Sequence, residues 1–584
     1  MFEGRVPVLR ARTGARSALP GAGMSKSHGT TEVTADLFDV FTEIARRYPS
    51  RPAIVHHGHV LGYRRLQELA NTLAARLGAG PGVVAVQATH TPETVVGLLG
   101  VLAAGGVYCP VDPAFPAQRR QEMTSAVGCR TMVVGEAGPP SPPGMDSFVL
   151  GPLAELTAST TETTAGTATG TTAGTPAEAL PVTAPTAPAQ SPAIDGRTAP
   201  TVRRSPAPGT GRPAFDPDAP AYVLFTSGST GRPKPVLTPR RAISSSVQSL
   251  RGLFGLTPED RVLQFASLNW DTCFEEILPT LTSGAALVLD SEAHSGSFPR
   301  FLRMVERERI TVLDLPTAFW HELVLYLAED GAALPACLRL LVIGGEAASP
   351  ARLTDWSGLD TGRIRLLNTY GCTETTLVTH AVDLHGPRAP SPGRVWDGTT
   401  RAPIGRALPH VVEHIDEQGE LLIGGPALAL GYLGLAEATE ARFTTVGGER
   451  LFRTGDRVLS SPEGVLTHQG RLDDEIKVRG IRVDPAEVEA RIAGHPRVQA
   501  AAVVGVTAAG RSALVAYVVP RTPAAAEGLD AAVLAYLRDL VPAHLVPSRI
   551  TVVPQLALTA SGKVDRAASH QRHAAPQQVK GDLP

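Results

Sequence analysis

The chain has 584 residues, a length that on its own would accommodate about four domains. Its 54 Lys and Arg nearly balance 56 Asp and Glu, leaving a formal charge of −2, so there is no global basic field to gather nucleic acid. With 43% hydrophobic and 19% charged residues most of the chain should be globular, while 58 Gly and 50 Pro exceed ordinary usage and point to a linker somewhere.

The first residues carry Arg5, Arg10, Arg12 and Arg16 without the continuous apolar stretch of a secretory signal, and Met24 offers an alternative start. Residues 1–33 are read as a disordered N-terminal extension. From Asp36, DLFDVFTEIARRYPSRPAI predicts an amphipathic helix stopped by Pro49 and followed by an extended apolar stretch. His56-His57-Gly58-His59 reads as a polar turn rather than a metal cluster. The longest apolar run, Val95 to Cys109, contains Gly97, Gly100, Gly105 and Gly106 and ends at Pro110. It is short of the roughly 20 residues a bilayer helix needs, so it is read as buried core and no membrane partner is expected.

Between about Leu156 and Pro213 the composition becomes Thr, Ala, Pro and Gly, with no aromatic between Phe148 and Phe215. Such a stretch cannot bury enough apolar surface to offset its ordering entropy, and residues 156–213 are read as a disordered insertion. After it, AYVLF, RVLQFA, ITVLDLP, LRLLVIGG and RIRLLN alternate with helical stretches, which predicts layered α/β architecture. VVEHIDEQGELLIGG, from Val411, reads as a hairpin. Beyond Gly470, PAEVEARIAG, VQAAAVVGV, ALVAYVVP, LDAAVLAYLRDL and ITVVP restart the pattern on a smaller scale. The expected fold is therefore α/β: a large N-terminal multi-sheet α/β domain over 34–472, a small mobile C-terminal α+β lid domain over 473–570, and a tail over 571–584. Cys109, Cys129, Cys273, Cys337 and Cys372 are odd in number and lack a CxxC spacing, which argues against a disulfide framework or zinc site and fits a reducing, cytoplasmic location.

Thr226-Ser227-Gly228-Ser229-Thr230-Gly231-Arg232-Pro233-Lys234 follows directly after the strand-like AYVLF. Hydroxyls, glycines and a lysine packed this closely suit a loop that surrounds phosphate oxygens with N–H and O–H donors. It is not a Walker loop, because Pro235 stands where that motif needs Ser or Thr. Further segments appear in order: LGYRRLQELA at Leu61, VLAAGGVYCPVDPAFP at Val101, NTYGCTE at Asn368, GELLIGGPALALGYL at Gly419 and FRTGD at Phe452. GRLDDEIKVRGIRVDPAEVE at Gly470 and LTASGKVDR at Leu558 complete the series. From Leu37 to Arg566 the chain thus resembles the adenylate-forming superfamily, specifically the adenylation domains of nonribosomal peptide synthetases.

The resemblance implies a reaction in which a carboxylate attacks the α-phosphate of ATP and pyrophosphate leaves, with ATP and Mg²⁺ as cofactors. It makes Thr226, Ser227, Gly228, Ser229, Thr230, Gly231, Lys234, Asn368, Tyr370, Asp456 and Arg471 the ATP or AMP contacts. In that pattern Tyr370 faces adenine, Asp456 takes the ribose hydroxyls and Arg471 lies near the nucleotide. Glu374 is the Mg²⁺ ligand, a hard carboxylate oxygen for a hard cation, with Thr373 beside it on the α-phosphate. Lys563 bridges the substrate carboxylate and the nucleotide, and Asp473 is the hinge about which the small domain rotates between half-reactions.

LQFASLNWDTCFEEILPTLTSGAALVL resembles the family segment whose Asp binds the substrate's amino group, and Asp271 falls on that position. Carried over in the same way, the pocket lining reads Asp271, Thr272, Glu275, Asp314, Val342, Gly344, Thr369, Leu377 and Val378, with Lys563. Glu275 and Glu276 are neighbours about 100° apart on a helix, so one of the two should face the pocket. Three acidic groups in one pocket call for more than one cation. The expected substrate is a diamino acid, and the lining resembles that of β-lysine-activating domains, with lysine or ornithine as alternatives.

Pro235, Cys372 and Trp270 depart from the family's usual Gly, Pro and Phe without removing a catalytic group. Gly344-Gly345 is followed by Glu346 and Ala347, and no carrier-type serine motif follows Lys563. The expected acceptor is therefore the phosphopantetheine thiol of a separate carrier protein, with a small accessory activator protein as a second candidate partner. The competing readings are an acyl- or aryl-CoA ligase, disfavoured by Asp271, and a non-catalytic scaffold, disfavoured by Glu374, Asp456 and Lys563.

Overall fold

The computed structural model describes residues 35–135, 141–142, 144–151, 215–228, 233–389, 401–473, 475–478, 480–508, 511–558 and 564–574. The expected extension 1–33 and insertion 156–213, together with Ser229, Thr230, Gly231 and Lys563, lie outside the described residues.

The first helix, Leu37–Arg47, starts where the Asp36 carboxylate accepts a hydrogen bond from the Phe38 N–H at 2.9 Å. Leu37, Phe38, Phe41 and Ala45 form its buried stripe. It ends at Tyr48, before Pro49, whose ring cannot continue a helix. The same Asp36 pairs with buried Arg240 at 2.6 Å, so the helix cap also fastens the helix to the rest of the domain.

Two large sheets follow from the short apolar runs. One contains seven described strands in the spatial order Gly431–Tyr432, Lys234–Pro239, Pro220–Thr226, Val107–Val111, Val83–Gln87, Thr131–Gly135 and Asp146–Leu150. The other contains nine, in the order Arg406–Ala407, Val378–His385, Arg365–Gly371, Leu340–Gly344, Val312–Pro316, Arg261–Leu263, Ala286–Leu289, Pro52–His56 and His59–Gly62. Their central pairings are parallel, and strands such as Val107–Val111 and Ala286–Leu289 are buried at every position, as expected between helical layers. His57 and Gly58, with φ of 48° and 80°, form the tight turn joining the last two strands of the second sheet.

Helices Leu37–Arg47, Tyr63–Leu77, Pro92–Ala103, Arg240–Phe254 and Thr272–Leu281 fill the space between the two sheets and share one core with Val84, Val86, Ile54, Leu287, Val342 and Leu367. The apolar run from Val95 is the most deeply buried of these elements. On the other face of the nine-stranded sheet, Leu313, Leu315, Leu341 and Ile343 pack against helices Phe298–Arg307, Thr317–Asp330 and Pro350–Gly358. Strand periodicity therefore places Asp314 with Val312 on the inner face, toward the helix that carries Glu275. A third sheet, built from Val412–Ile415, Glu420–Gly424, Glu449–Ser460, Phe443–Val446 and Leu466–Arg471, includes the hairpin expected from Val411.

The C-terminal unit is smaller. Strands Val498–Ala508, Arg511–Pro520 and Arg549–Val552 form its sheet, covered by helices Pro485–Ala493 and Leu529–Leu540 around a separate core. The hairpin Ile476–Val478 and Ile481–Val483 belongs to this unit, since Val478 and Val483 enter its core and Ile476 lies against Gly505. The last helix, Arg566–His573, starts where Asp565 accepts from the Ala568 N–H, extends three residues past 570, and packs His570 against Tyr517 Oη at 2.7 Å. No helix among the described residues is long and apolar enough to cross a membrane.

Candidate active site

A cavity of about 540 Å³ opens where the C-terminal ends of the nine-stranded sheet, helix Thr272–Leu281 and the small-domain hairpin meet. Its two ends differ in charge chemistry. At one end Asp271 sits at the start of the helix, with Thr272 beside it and Glu275 one turn on, along the same face. Asp314 projects from its strand into the same space, and its Oδ2 is buried without a hydrogen-bond partner. Gly344, Thr369, Leu377 and Val378 complete this end. Glu276 points elsewhere: its carboxylate accepts the Phe265 and Ala266 N–H groups at 3.0 Å and the Gln264 side-chain amide at 3.0 Å.

Burial dominates the protonation of these carboxyls. It raises Asp271 to about 6, reinforced by the negative charge of Glu374 and opposed by hydrogen bonds from Thr373 and the Leu377 N–H. It raises Asp314 to about 7. Glu275 is pushed well above the ordinary carboxylate range by burial, then by Asp314 and Asp271. The nearby His294 ring lies tilted between Phe265 and His90, with centroids at 4.9 and 4.7 Å, and burial lowers it to about 4, so it brings no positive charge.

The turn that aims Leu377 at Asp271 has two consecutive left-handed residues, Thr376 and Leu377, at φ 58° and 68°. It closes against Gly371, where an added Cβ would meet the Leu377 carbonyl oxygen at 1.8 Å, so only glycine fits.

At the other end every carboxylate has a cation. Asp456 accepts from Tyr370 Oη at 2.7 Å, His468 Nε2 at 3.0 Å and Arg471 Nη1 at 3.0 Å. Burial would raise Asp456, but the His468 hydrogen bond, Lys477 and Arg471 outweigh it and hold the carboxyl well below its ordinary value. Glu374, fully buried, accepts from Tyr432 Oη at 2.7 Å and faces Arg482 Nη1 at 3.2 and 3.4 Å. Here too burial is outweighed, mainly by Arg482 and then Tyr432, and the carboxyl stays below the ordinary range. Lys234 Nζ lies 5.8 Å over the Tyr432 ring, and Lys477 Nζ 5.7 Å over the Tyr370 ring. Asp473 pairs with Arg471 at 2.5 Å and with Arg442 at 3.2 Å, at the junction between the third sheet and the small-domain hairpin.

The hairpin closes the cavity from the small-domain side. An added Cβ on Gly345, at φ 83°, would come within 3.1 Å of Gly480 Cα, and the Gly480 N–H donates to Glu346 Oε1 at 2.8 Å. Ser227 Oγ donates to the Arg482 carbonyl at 2.7 Å, and the Gly228 N–H to Glu487 Oε2 at 3.2 Å.

The AMP-binding enzyme family matches residues 41–433, and its C-terminal domain matches residues 487–563. The chain belongs to the AMP-binding enzyme family. Among similar proteins, an isonitrile lipopeptide synthase of Streptomyces coeruleorubidus is 38% identical over 88% of this chain and 32% of its own length. The phosphinothricin tripeptide synthetase PhsC of Streptomyces viridochromogenes is 33% identical over 91% of this chain and 45% of its own. The chain thus spans a third to a half of these two relatives. Among solved structures, an NRPS protein containing adenylation and PCP domains superposes with a TM-score of 0.69 at 26% identity, covering 92% of this chain and 84% of that one. An artificially fused adenylation-PCP di-domain from Klebsiella oxytoca has the same TM-score at 23% identity, covering 88% and 93%, and shows the shared fold.

As an AMP-binding enzyme the chain is an AMP-forming ligase, and ATP with Mg²⁺ is the cofactor pair of the class. The residues fit a hard divalent cation: Glu374 is a buried, charged carboxylate that already holds a cationic group against both oxygens. Two of the expected positions are buried. Val342 is fully buried and, as the register partner of Asp314 on the adjacent parallel strand, shares the inner face of the sheet with it. Asn368 is also internal, its amide donating to the Pro403 carbonyl at 2.7 Å. Tyr370 is directed by its hydroxyl to Asp456 and is 7% exposed.

Sequence reasoning passed over Tyr432, His468, Lys477, Arg482, Glu487 and Arg119. Most of these stand inside or near quoted motifs, and a charged residue embedded in such a motif was the available signal.

Proposed function

We propose that this AMP-binding enzyme activates a diamino acid, β-lysine first and then lysine or ornithine, as its aminoacyl-AMP. It would then pass the acyl group to the phosphopantetheine thiol of a separate carrier protein in nonribosomal antibiotic or siderophore biosynthesis. The observation that carries the substrate reading is the grouping of Asp271, Glu275 and Asp314 at one end of the cavity, with Asp314 Oδ2 unpartnered. Buried carboxylates need cationic partners, and a substrate bearing two ammonium groups supplies them.

In this reading Asp271 orients the reacting amino acid through one ammonium, and Glu275 with Asp314 takes the second. The substrate carboxylate oxygen bonds to the α-phosphorus, the α-to-β bridging P–O bond breaks, and pyrophosphate carries away the electron pair. Asp456 receives the ribose hydroxyls, and Lys563 steadies the charge that develops at phosphorus. Glu374 is the residue to hold Mg²⁺, which when bound neutralises phosphate charge. The test is ATP–pyrophosphate exchange across α- and β-diamino acids and neutral amino acids. Diamino acids should dominate, and neutral amino acids outperforming all of them would overturn the substrate reading. Formation of a CoA thioester would favour the ligase alternative.

A further inference from the structure

Two ion pairs fasten the small-domain helix Pro485–Ala493 to the large-domain helix Ala117–Ala126. Arg491 pairs with Glu122 at 2.8 Å near the surface, with the two side chains 16% and 30% exposed. Arg119 pairs with Glu487 at 3.0 Å, where the side chains are 7% and 0% exposed. The buried pair has a third member. Glu487 uses one oxygen for Arg119 Nη1 and the other for the Gly228 N–H, at 3.2 Å. Ser227 Oγ donates to the Arg482 carbonyl beside it. Two described donors of the Ser/Gly loop, Ser227 Oγ and the Gly228 N–H, are thus taken by acceptors of the small domain.

An anionic centre with one oxygen on a guanidinium and another on a loop N–H is the arrangement a phosphoryl group adopts when a loop and an arginine hold it. Arg482 repeats the theme, since it sits on both oxygens of Glu374. Resting on the reading of 226–234 as a phosphate loop, we propose that Glu487 occupies the place of a phosphoryl group and that Arg119 is a phosphate-positioning residue. In the docked arrangement Arg119 holds Glu487. When the small domain rotates away, Arg119 and Gly228 turn to the terminal phosphates of ATP and to pyrophosphate. Triphosphate binding and this docking then exclude one another, and departure of pyrophosphate frees the position into which Glu487 moves.

A purely structural latch predicts something different. Breaking it from either side would loosen docking and expose the loop equally, so Arg119→Ala and Glu487→Ala would both raise phosphate affinity. The proposal predicts opposite signs. Titration calorimetry of the full chain with Mg-ATP, Mg-pyrophosphate and AMP reads the difference, with a dye pair across the two domains to report docking. Glu487→Ala should bind ATP and pyrophosphate about tenfold tighter, and Arg119→Ala about tenfold weaker, with AMP unchanged in both. Arg119→Lys should retain part of the affinity at wild-type melting temperature, which separates loss of contact from loss of fold. Exchanging the charges, Arg119→Glu with Glu487→Arg, should restore docking but not pyrophosphate affinity. The same sign for both alanine variants, or recovered pyrophosphate affinity in the exchanged pair, overturns the inference while leaving nucleotide binding intact. If the unmodified chain binds neither ATP nor pyrophosphate, the phosphate-loop reading falls and this inference falls with it.

Discussion

The two ends of the cavity are both built on buried carboxylates, yet they solve the problem of buried charge in opposite ways. At the cation-lined end Glu374 and Asp456 are surrounded by Arg482, Arg471, His468 and Lys477 and are held below the ordinary carboxylate range. At the other end Asp271, Glu275 and Asp314 are driven above it by burial. The first end is electrostatically complete within the protein. In the proposed reading the second is completed by the cations of the substrate.

The comparison breaks most visibly if the second end loses an acid. Glu275→Ala or Asp314→Ala should lower kcat/KM for diamino-acid-dependent pyrophosphate exchange by roughly a hundredfold or more, the scale of leaving a buried charge unpaired. Exchange with an uncharged amino acid should change far less, and equal loss for both would point to misfolding. At the first end, Asp456→Asn should weaken ATP by roughly tenfold, read as KM(ATP), with the preference among amino acids unchanged. A shift in that preference would mean the two ends are not separable.

The smallest effect is on stability. Asp271 and Asp314 bind their protons more tightly folded than unfolded, so their contribution to stability is full below about pH 4 and is lost as pH rises through about 6 to 7. Asp314→Asn should therefore flatten the fall in melting temperature between pH 5 and pH 8, by a few degrees at most. For the same reason a diamino acid should raise the melting temperature of the unmodified chain more at pH 8 than at pH 5. A larger rise at pH 5 would contradict the assignment.

The individual elements were legible because apolar runs such as ITVLDLP and LRLLVIGG are short and buried on both faces, leaving little choice but an interior strand. Their neighbours were not. Pro52–His56 pairs with Ala286–Leu289 across more than 200 residues of chain, a register set by packing between layers rather than by any local signal. The acidic end of the cavity was readable for a local reason: Asp271 and Glu275 share a helix face, and a carboxylate inside ITVLDLP demands an explanation. Arg482 and Glu487 escaped notice because their partners, Glu374 and Arg119, come from the other domain, so each contact exists only when the two domains meet.

Glu276 gives the cavity a further property. By holding the amides of Phe265 and Ala266 it pins helix Thr272–Leu281 to the strand end beside it, leaving its neighbour Glu275 no share in that anchorage. In the proposed reading, anchoring and substrate recognition fall to adjacent residues. A lineage, or a designer, can rewrite position 275 to admit a different side chain while the helix that presents it stays where it is.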